Sequence, residues 1–246
     1  MALKASPAEQ ALFLELQSLD TRLQQVDHRA KSLPEHAALR DVEKESDDVS
    51  RVHAERSGAR EDITIELKRL ESDVQVVEAR IARDSARIQS TSSVKDVAAL
   101  EQELTALRKR LGDLEEIELT VMERLELQDA DVADATAQLA DVQSRAVALQ
   151  AQRDAALAEL QSERRDVAAA RAALEGRVPA EVLALYEKQR ARYGWGASHL
   201  RGGVSSASGV RLNESDLKAI RAAAPDDVVL CPDSNAILVR TDESGL

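Results

Sequence analysis

Residues 63–81 read ITIELKRLESDVQVVEARI, and residues 97–114 read VAALEQELTALRKRLGDL. In the first stretch apolar side chains fall at Ile63, Leu67, Leu70, Val74, Val77 and Ile81, in alternating steps of four and three. In the second they fall at Val97, Leu100, Leu104, Leu107, Leu111 and Leu114, stepping three and four. A mean period of 3.5 winds an apolar seam slowly around a helix, and such a seam is buried against a second helix in a left-handed supercoil. The pattern extends outward on both sides. Leu12, Leu16, Leu19, Leu23, Val26, Ala30 and Leu33 precede it, with a weaker passage from Val42 to Ala59. Val132, Ala135, Leu139, Val142, Ala146 and Leu149 follow it, and Leu157, Leu160, Val167 and Leu174 continue it loosely.

The segment QSTSS at 89–93 separates the two seams. Serine and threonine compete with a helix for backbone hydrogen bonds and favour caps and turns. A turn is therefore predicted near 89–94, joining helices of roughly 7–88 and 94–175. Two long helices joined by a short turn become antiparallel neighbours. A parallel homodimer without a hairpin is the alternative; the serine-rich break and the matched lengths count against it. Ser6, Pro7 and Glu9 give a helix start with a capping box. Pro34 lacks the helical N–H and disfavours helix at Leu33, so a kink or break is predicted near 32–35. Gly176 suits the end of the second helix and Pro179 the start of the next.

Composition agrees with a rod. Of 246 residues 43% are hydrophobic but only 2% are aromatic, namely Phe13, Tyr186, Tyr193 and Trp195. Residues 1–175 hold just Gly58, Gly112, Pro7 and Pro34, and the other seven glycines and three prolines follow. The expected class is mainly α: an antiparallel coiled-coil hairpin over 1–176 and a small α+β module over 177–246. The net charge is −12, which argues against nucleic acid wrapping along the whole rod. That charge is uneven: residues 177–211 carry +4 and residues 212–246 carry −4. No apolar run approaches the ~18 residues of a membrane span, and the first residues lack a signal-peptide core. One cysteine, Cys231, allows no internal disulfide, so a reducing cytoplasm is the expected compartment.

In the tail, residues 179–192 predict a short amphipathic helix. Residues 190–203 then read RARYGWGASHLRGG, a glycine-rich and mobile loop in which arginines alternate with rings. Such a loop grips phosphates and stacks bases, or else its rings merely cover a small core. The candidate partner-binding residues are Lys188, Arg190, Arg192, Tyr193, Trp195, Arg201 and Arg211. Asn213 caps a helix running through Leu217 and Ile220 to Pro225. Residues 228–230 and 237–239 read as strands around a tight turn at 231–235.

The order coiled-coil hairpin, LRGGV, LNESDL and VVLCPDSNAILVR resembles a bacterial family with an N-terminal coiled coil and a C-terminal four-cysteine zinc ribbon. In that family two C-x-x-C knuckles hold the metal, and some members are linked to flagellar gene regulation through an alternative sigma factor or messenger RNA. The resemblance implies an adaptor whose module docks on a protein of the transcription machinery or on RNA. The ligand positions here are Ser205, Ser208, Cys231 and Ser234. Structural zinc takes four thiolates or imidazoles, and a hydroxyl stays protonated near neutral pH. No zinc or other cofactor is expected, and the module is expected to be a degenerate, locally weak ribbon.

Nothing in the chain has a catalytic pattern. His28, His36, His53 and His199 are scattered, and neither G-x-x-x-x-G-K-[ST] nor G-x-G-x-x-G occurs. Acids such as Glu101 and Glu103 sit at helical spacings beside Arg108 and Lys109, as solvated pairs do. The expectation is a non-enzymatic, cytoplasmic adaptor, with a purely structural or self-associating rod as the alternative.

Overall fold

The computed structural model describes residues 3–246; Met1 and Ala2, which open the expected hairpin, lie outside them. The chain is mainly α: a long helical coiled-coil hairpin with a small C-terminal sheet module. Helix α1 spans Pro7–Lys31, α2 Pro34–Ser90, α3 Val94–Glu175 and α4 Ala180–Tyr193. Strands β1 (Ala197–Arg201) and β2 (Val204–Ser205), helix α5 (Glu214–Ala222), and strands β3 (Val229–Leu230) and β4 (Ile237–Val239) follow. The chain divides into two compact units: residues up to Pro34 together with Gln152–Leu246, and Glu35–Ala151.

The second unit is a pair of helical arms. On α3 a continuous row of side chains withdrawn from solvent runs 97, 100, 104, 107, 111, 114, 118, 121, 125, 128, 132 and 135, in steps of three and four, with Glu103 half-buried beside it. Glu118 and Gln128 thus stand in the seam where apolar residues run out; Gln128 Nε2 donates to the Arg56 carbonyl at 2.9 Å. On α2 the half-buried residues include Ile63, Leu67, Leu70, Val74, Val77 and Ile81. Ion pairs stitch the flanks: Arg145 to Glu45 (2.6 Å), Arg56 to Asp134 (3.2 Å), Arg60 to Asp129, Arg124 to Glu66 (3.2 Å), and Arg80 to Glu103. As the α2 number rises the α3 number falls, which is antiparallel pairing. Exposed pairs of this kind add little stability; they fix register, while the seam supplies most of the stabilisation.

In the first unit α1 lies antiparallel to the C-terminal part of α3, with Arg22 and Arg29 on Glu163 and Arg164 on Asp27. Ser6 caps α1 and shares a reciprocal capping box with Glu9. The helix stops at Lys31, the Ser32 amide bonds back to the His28 and Arg29 carbonyls, and α2 starts on Pro34.

The sheet order is β2-β1-β4-β3, with β1 parallel to β4 and both outer pairings antiparallel. Side chains alternate across a strand, so this small sheet is buried on two faces. Ala197, Ile237 and Val239 join Phe13, Leu16, Leu174, Val182 and Tyr186 in one core. Leu200 and Leu238 join Leu212, Leu217, Ile220 and Cys231 in the other.

The segment expected to be a mobile loop is the main difference from the sequence reading. Residues 197–201 form a central strand, paired on both sides. Three of its glycines have structural duties. Gly202 (φ 55°) and Gly203 (φ 77°) form the two-residue hairpin between β1 and β2, a turn that needs positive φ at both positions. Gly196 lies against the face of Tyr186, where a Cβ would collide with the ring.

Candidate functional site

Helix α4, the strand after it and the segment at Arg211 carry the candidate binding residues, but these residues do not form one free patch. Arg190 turns inward. Its Nη1 donates to Asp20 Oδ1 at 2.7 Å, and its Nη2 and Nε donate to Glu187 Oε2 at 2.9 and 3.2 Å. Asp20 is 1% exposed and also accepts from Arg171 Nε (2.6 Å) and the Tyr186 hydroxyl (2.6 Å). Arg171 further contacts Glu175 and Glu187. Arg190 therefore belongs to a clamp that ties α1, α3 and α4 together, and its charge is taken up inside the protein. Burial would by itself lower the Arg171 pKa; the hydrogen bonds it donates to Asp20 and Glu187 outweigh it and hold it above the ordinary value. Burial, and then the Asp20 carboxylate, push the Tyr186 hydroxyl well above the usual phenol range.

Arg201 is exposed but paired with Glu243 at 2.8 Å. Lys188, Arg192 and Arg211 are exposed and have no ion pair among the described residues. The Arg192 guanidinium lies 5.2 Å from the centroid of the exposed Tyr193 ring. Trp195 is half-buried and belongs to neither core.

The four serine and cysteine positions lie on two loops built alike. In the first, Ser205 N–H donates to the Val210 carbonyl, Gly209 N–H to the Ser205 carbonyl, and Val210 N–H to Ser208 Oγ. In the second, Cys231, Asn235 and Ala236 repeat those bonds to Ala236, Cys231 and Ser234 Oγ. Gly209 and Asn235, at matching positions, both take positive φ. The loops meet where Cys231 Sγ lies 3.4 Å from Ser205 Oγ, which is also 2.7 Å from Ser198 Oγ. Burial pushes the Cys231 thiol up; hydrogen bonds from Ser205 and from the Ser234 side chain and backbone outweigh it, leaving the thiol below its ordinary value. Tested against the zinc of the resembling family, the donor set does not fit. It offers one thiol and three hydroxyls, and Ser205 is already engaged with Ser198. Among the described residues no three His, Cys, Asp or Glu side chains gather as a metal would require. None of the described helices is long and apolar enough to cross a membrane.

Sequence reasoning missed the Asp20 clamp and a cleft beside it, lined by Arg22, Arg29, Glu163, Trp195 and His199. The clamp left one trace, the four-residue spacing of Tyr186 and Arg190, which puts both on one face of α4.

Residues 16–194 match the family described as CT398-like coiled coil hairpin domain. An uncharacterized protein of Mycobacterium tuberculosis is 36% identical over 242 residues, covering 98% of both chains. A solved structure from Mycobacterium smegmatis, 35% identical, superposes with a TM-score of 0.88 over 97% of this chain and 100% of that one. CT398 from Chlamydia trachomatis shares the fold at 18% identity, with a TM-score of 0.64 over 94% and 97% of the two chains.

Proposed function

The chain belongs to the CT398-like coiled coil hairpin family, and from that premise we propose that it is a non-enzymatic adaptor that docks on a macromolecule through its C-terminal module. The partner is a protein of the transcription machinery or an RNA, met in the cytoplasm, and no cofactor takes part. One observation carries this reading: Lys188, Arg192 and Arg211 are exposed and have no ion pair among the described residues, and Arg192 lies against the exposed Tyr193 ring at the end of an α4 held by a buried polar clamp. Rings and arginines on a rigid support are the residues that carry binding energy at interfaces. The shifted ionisations support a non-catalytic reading, since those of Arg171, Tyr186, Glu163 and Asp226 arise in structural ion pairs and hydrogen bonds.

The test is capture of partners from a native extract, and of mixed RNA, by the full chain and by a Lys188→Ala/Arg192→Ala/Arg211→Ala variant. The variant is expected to lose the partner. Binding that also falls steeply with salt identifies nucleic acid; equal capture by both proteins overturns the reading.

A self-associating rod is favoured by one separate observation: Val76, Leu119, Leu127 and Val147 on the arms are each more than 60% exposed. Concentration-dependent mass in light scattering, retained after deletion of residues 177–246, would support that second reading.

A further inference from the structure

We infer that the cleft between α1 and the Trp195–Ser206 segment is a docking site for an acidic peptide that seats an apolar side chain against Trp195. This deepens the adaptor reading and rests on it for the existence of a partner. The cleft has a volume of about 500 Å³ and lies wholly within the first unit. That is within the usual range of ligand sites and suits one or two side chains. Leu14, Val26, Ala197 and Trp195 make its apolar walls. Trp195 is half-buried and lies outside both cores, whereas Phe13 and Tyr186 stack on each other at 5.7 Å within one of them.

The rim is rich in donors. Arg22 and Arg29 both reach Glu163 at 3.0 Å, so three charged side chains leave one net positive charge. A guanidinium has five N–H donors, and the single carboxylate occupies only some of the ten. The Trp195 indole N–H, the Ser18 hydroxyl and the Gln25 amide, all lining the cleft, make no hydrogen bond among the described residues. An anionic oxygen attached to an apolar body answers both features. Arg and Trp are also the residues most often found at the centre of protein interfaces. One net positive charge holds a peptide carboxylate, whereas a nucleic-acid backbone is held by several cations at once. The occupant is therefore a peptide.

Trp195 is the sole tryptophan, so its emission reports directly on occupancy. The full chain is titrated with Ac-Glu-Asp-Leu-Leu-Asp-Glu-NH2, with the counterpart in which lysine replaces every acid, and with a short oligouridylate. The expected result is a saturable change in Trp195 emission with the acidic peptide alone. Arg22→Gln with Arg29→Gln should weaken it roughly tenfold, the loss expected for one charge-assisted contact. Both arginines are well exposed, so the variant should fold, as far-UV circular dichroism will show. Arg22→Glu with Arg29→Glu should turn the preference toward the lysine peptide. No saturable change with the acidic peptide, an equal response to the lysine peptide, or a response to oligouridylate alone overturns the inference. If the Lys188/Arg192/Arg211 variant loses the captured partner while the Arg22→Gln/Arg29→Gln variant keeps it, the adaptor reading stands and the cleft assignment falls. If the titration succeeds and no partner is captured, the reverse holds.

Discussion

Asp20 is the residue on which the docking of α4 depends. It is almost fully buried and receives hydrogen bonds from Tyr186, Arg171 and Arg190. Removing its charge leaves two arginines sharing only Glu187 and Glu175, and takes the charged acceptor from the buried Tyr186 hydroxyl. Asp20→Asn should therefore destabilise the protein by about 3 kcal/mol, read as a lower urea midpoint at unchanged slope. Tyr186 gives a pH prediction. Its folded pKa is raised above the unfolded phenol value of about 10, so the unfolded chain releases this proton before the folded one does. The stability this group contributes is present below pH 10 and is lost as pH rises above it. Thermal unfolding from pH 8 to 11 should show a decline that is shallower in Tyr186→Phe, although that variant starts lower for want of one hydrogen bond. At this scale the sequence disclosed the apolar residues well: Leu16 and Val26 stand in a visible seam. Asp20 was hidden because an acid next to Leu19 on a charged helix looks like any solvated side chain. Only the fold brings Arg171, 151 residues away, to its carboxylate.

Among the elements, those with strong local signals were legible: α1 by its capping box, the Pro34 interruption, α5 by Asn213, and β4 by its apolar triplet. Strand β1 was not. ASHLR alternates weakly, is flanked by glycines and contains no run of branched residues, so its extended form is imposed by pairing with β4 and by the clamp behind it. The Gly202-Gly203 pair was the available clue, since two glycines between short extended segments mark a tight hairpin. Replacing both with alanine forces two L-residues to positive φ, at about 1–2 kcal/mol each. Loss of stability of that order, with the helix content kept, is the expected result by circular dichroism and urea unfolding. The twin loops at 205–210 and 231–236 carry a second prediction for this element. Each closes through its own backbone bonds and a serine hydroxyl, and the four ligand positions offer one thiol and three hydroxyls, a poor donor set for zinc. Purified protein should therefore contain no stoichiometric zinc by mass spectrometry, and a chelator should leave its urea midpoint unchanged. One zinc per chain, or a midpoint lowered by chelation, would contradict this.

For the whole molecule, the period of 3.5 in two blocks on either side of a serine-rich break was enough to give the helical hairpin, because an apolar seam of that period must be covered by another helix. What the period could not supply is register. A heptad seam permits shifts by whole heptads, and the choice among them is made by flanking charges: Glu45 with Arg145, Arg56 with Asp134, Glu66 with Arg124. From pair to pair the α3 number falls by as much as the α2 number rises, so one shift of seven would break all of them together, replacing several modest attractions by mismatches. That coupling makes the register testable. In a Cys231→Ser background, cysteines at 60 and 129, the positions of the Arg60–Asp129 pair, should join within one chain under a short bismaleimide and migrate as monomer. Cysteines at 60 and 122, one heptad away, should react far less. A parallel pairing of two chains predicts the opposite pattern: a single cysteine at 60 would couple to its own copy and double the mass. The intramolecular product from 60 and 129, formed independently of protein concentration, is the outcome that the antiparallel seam requires.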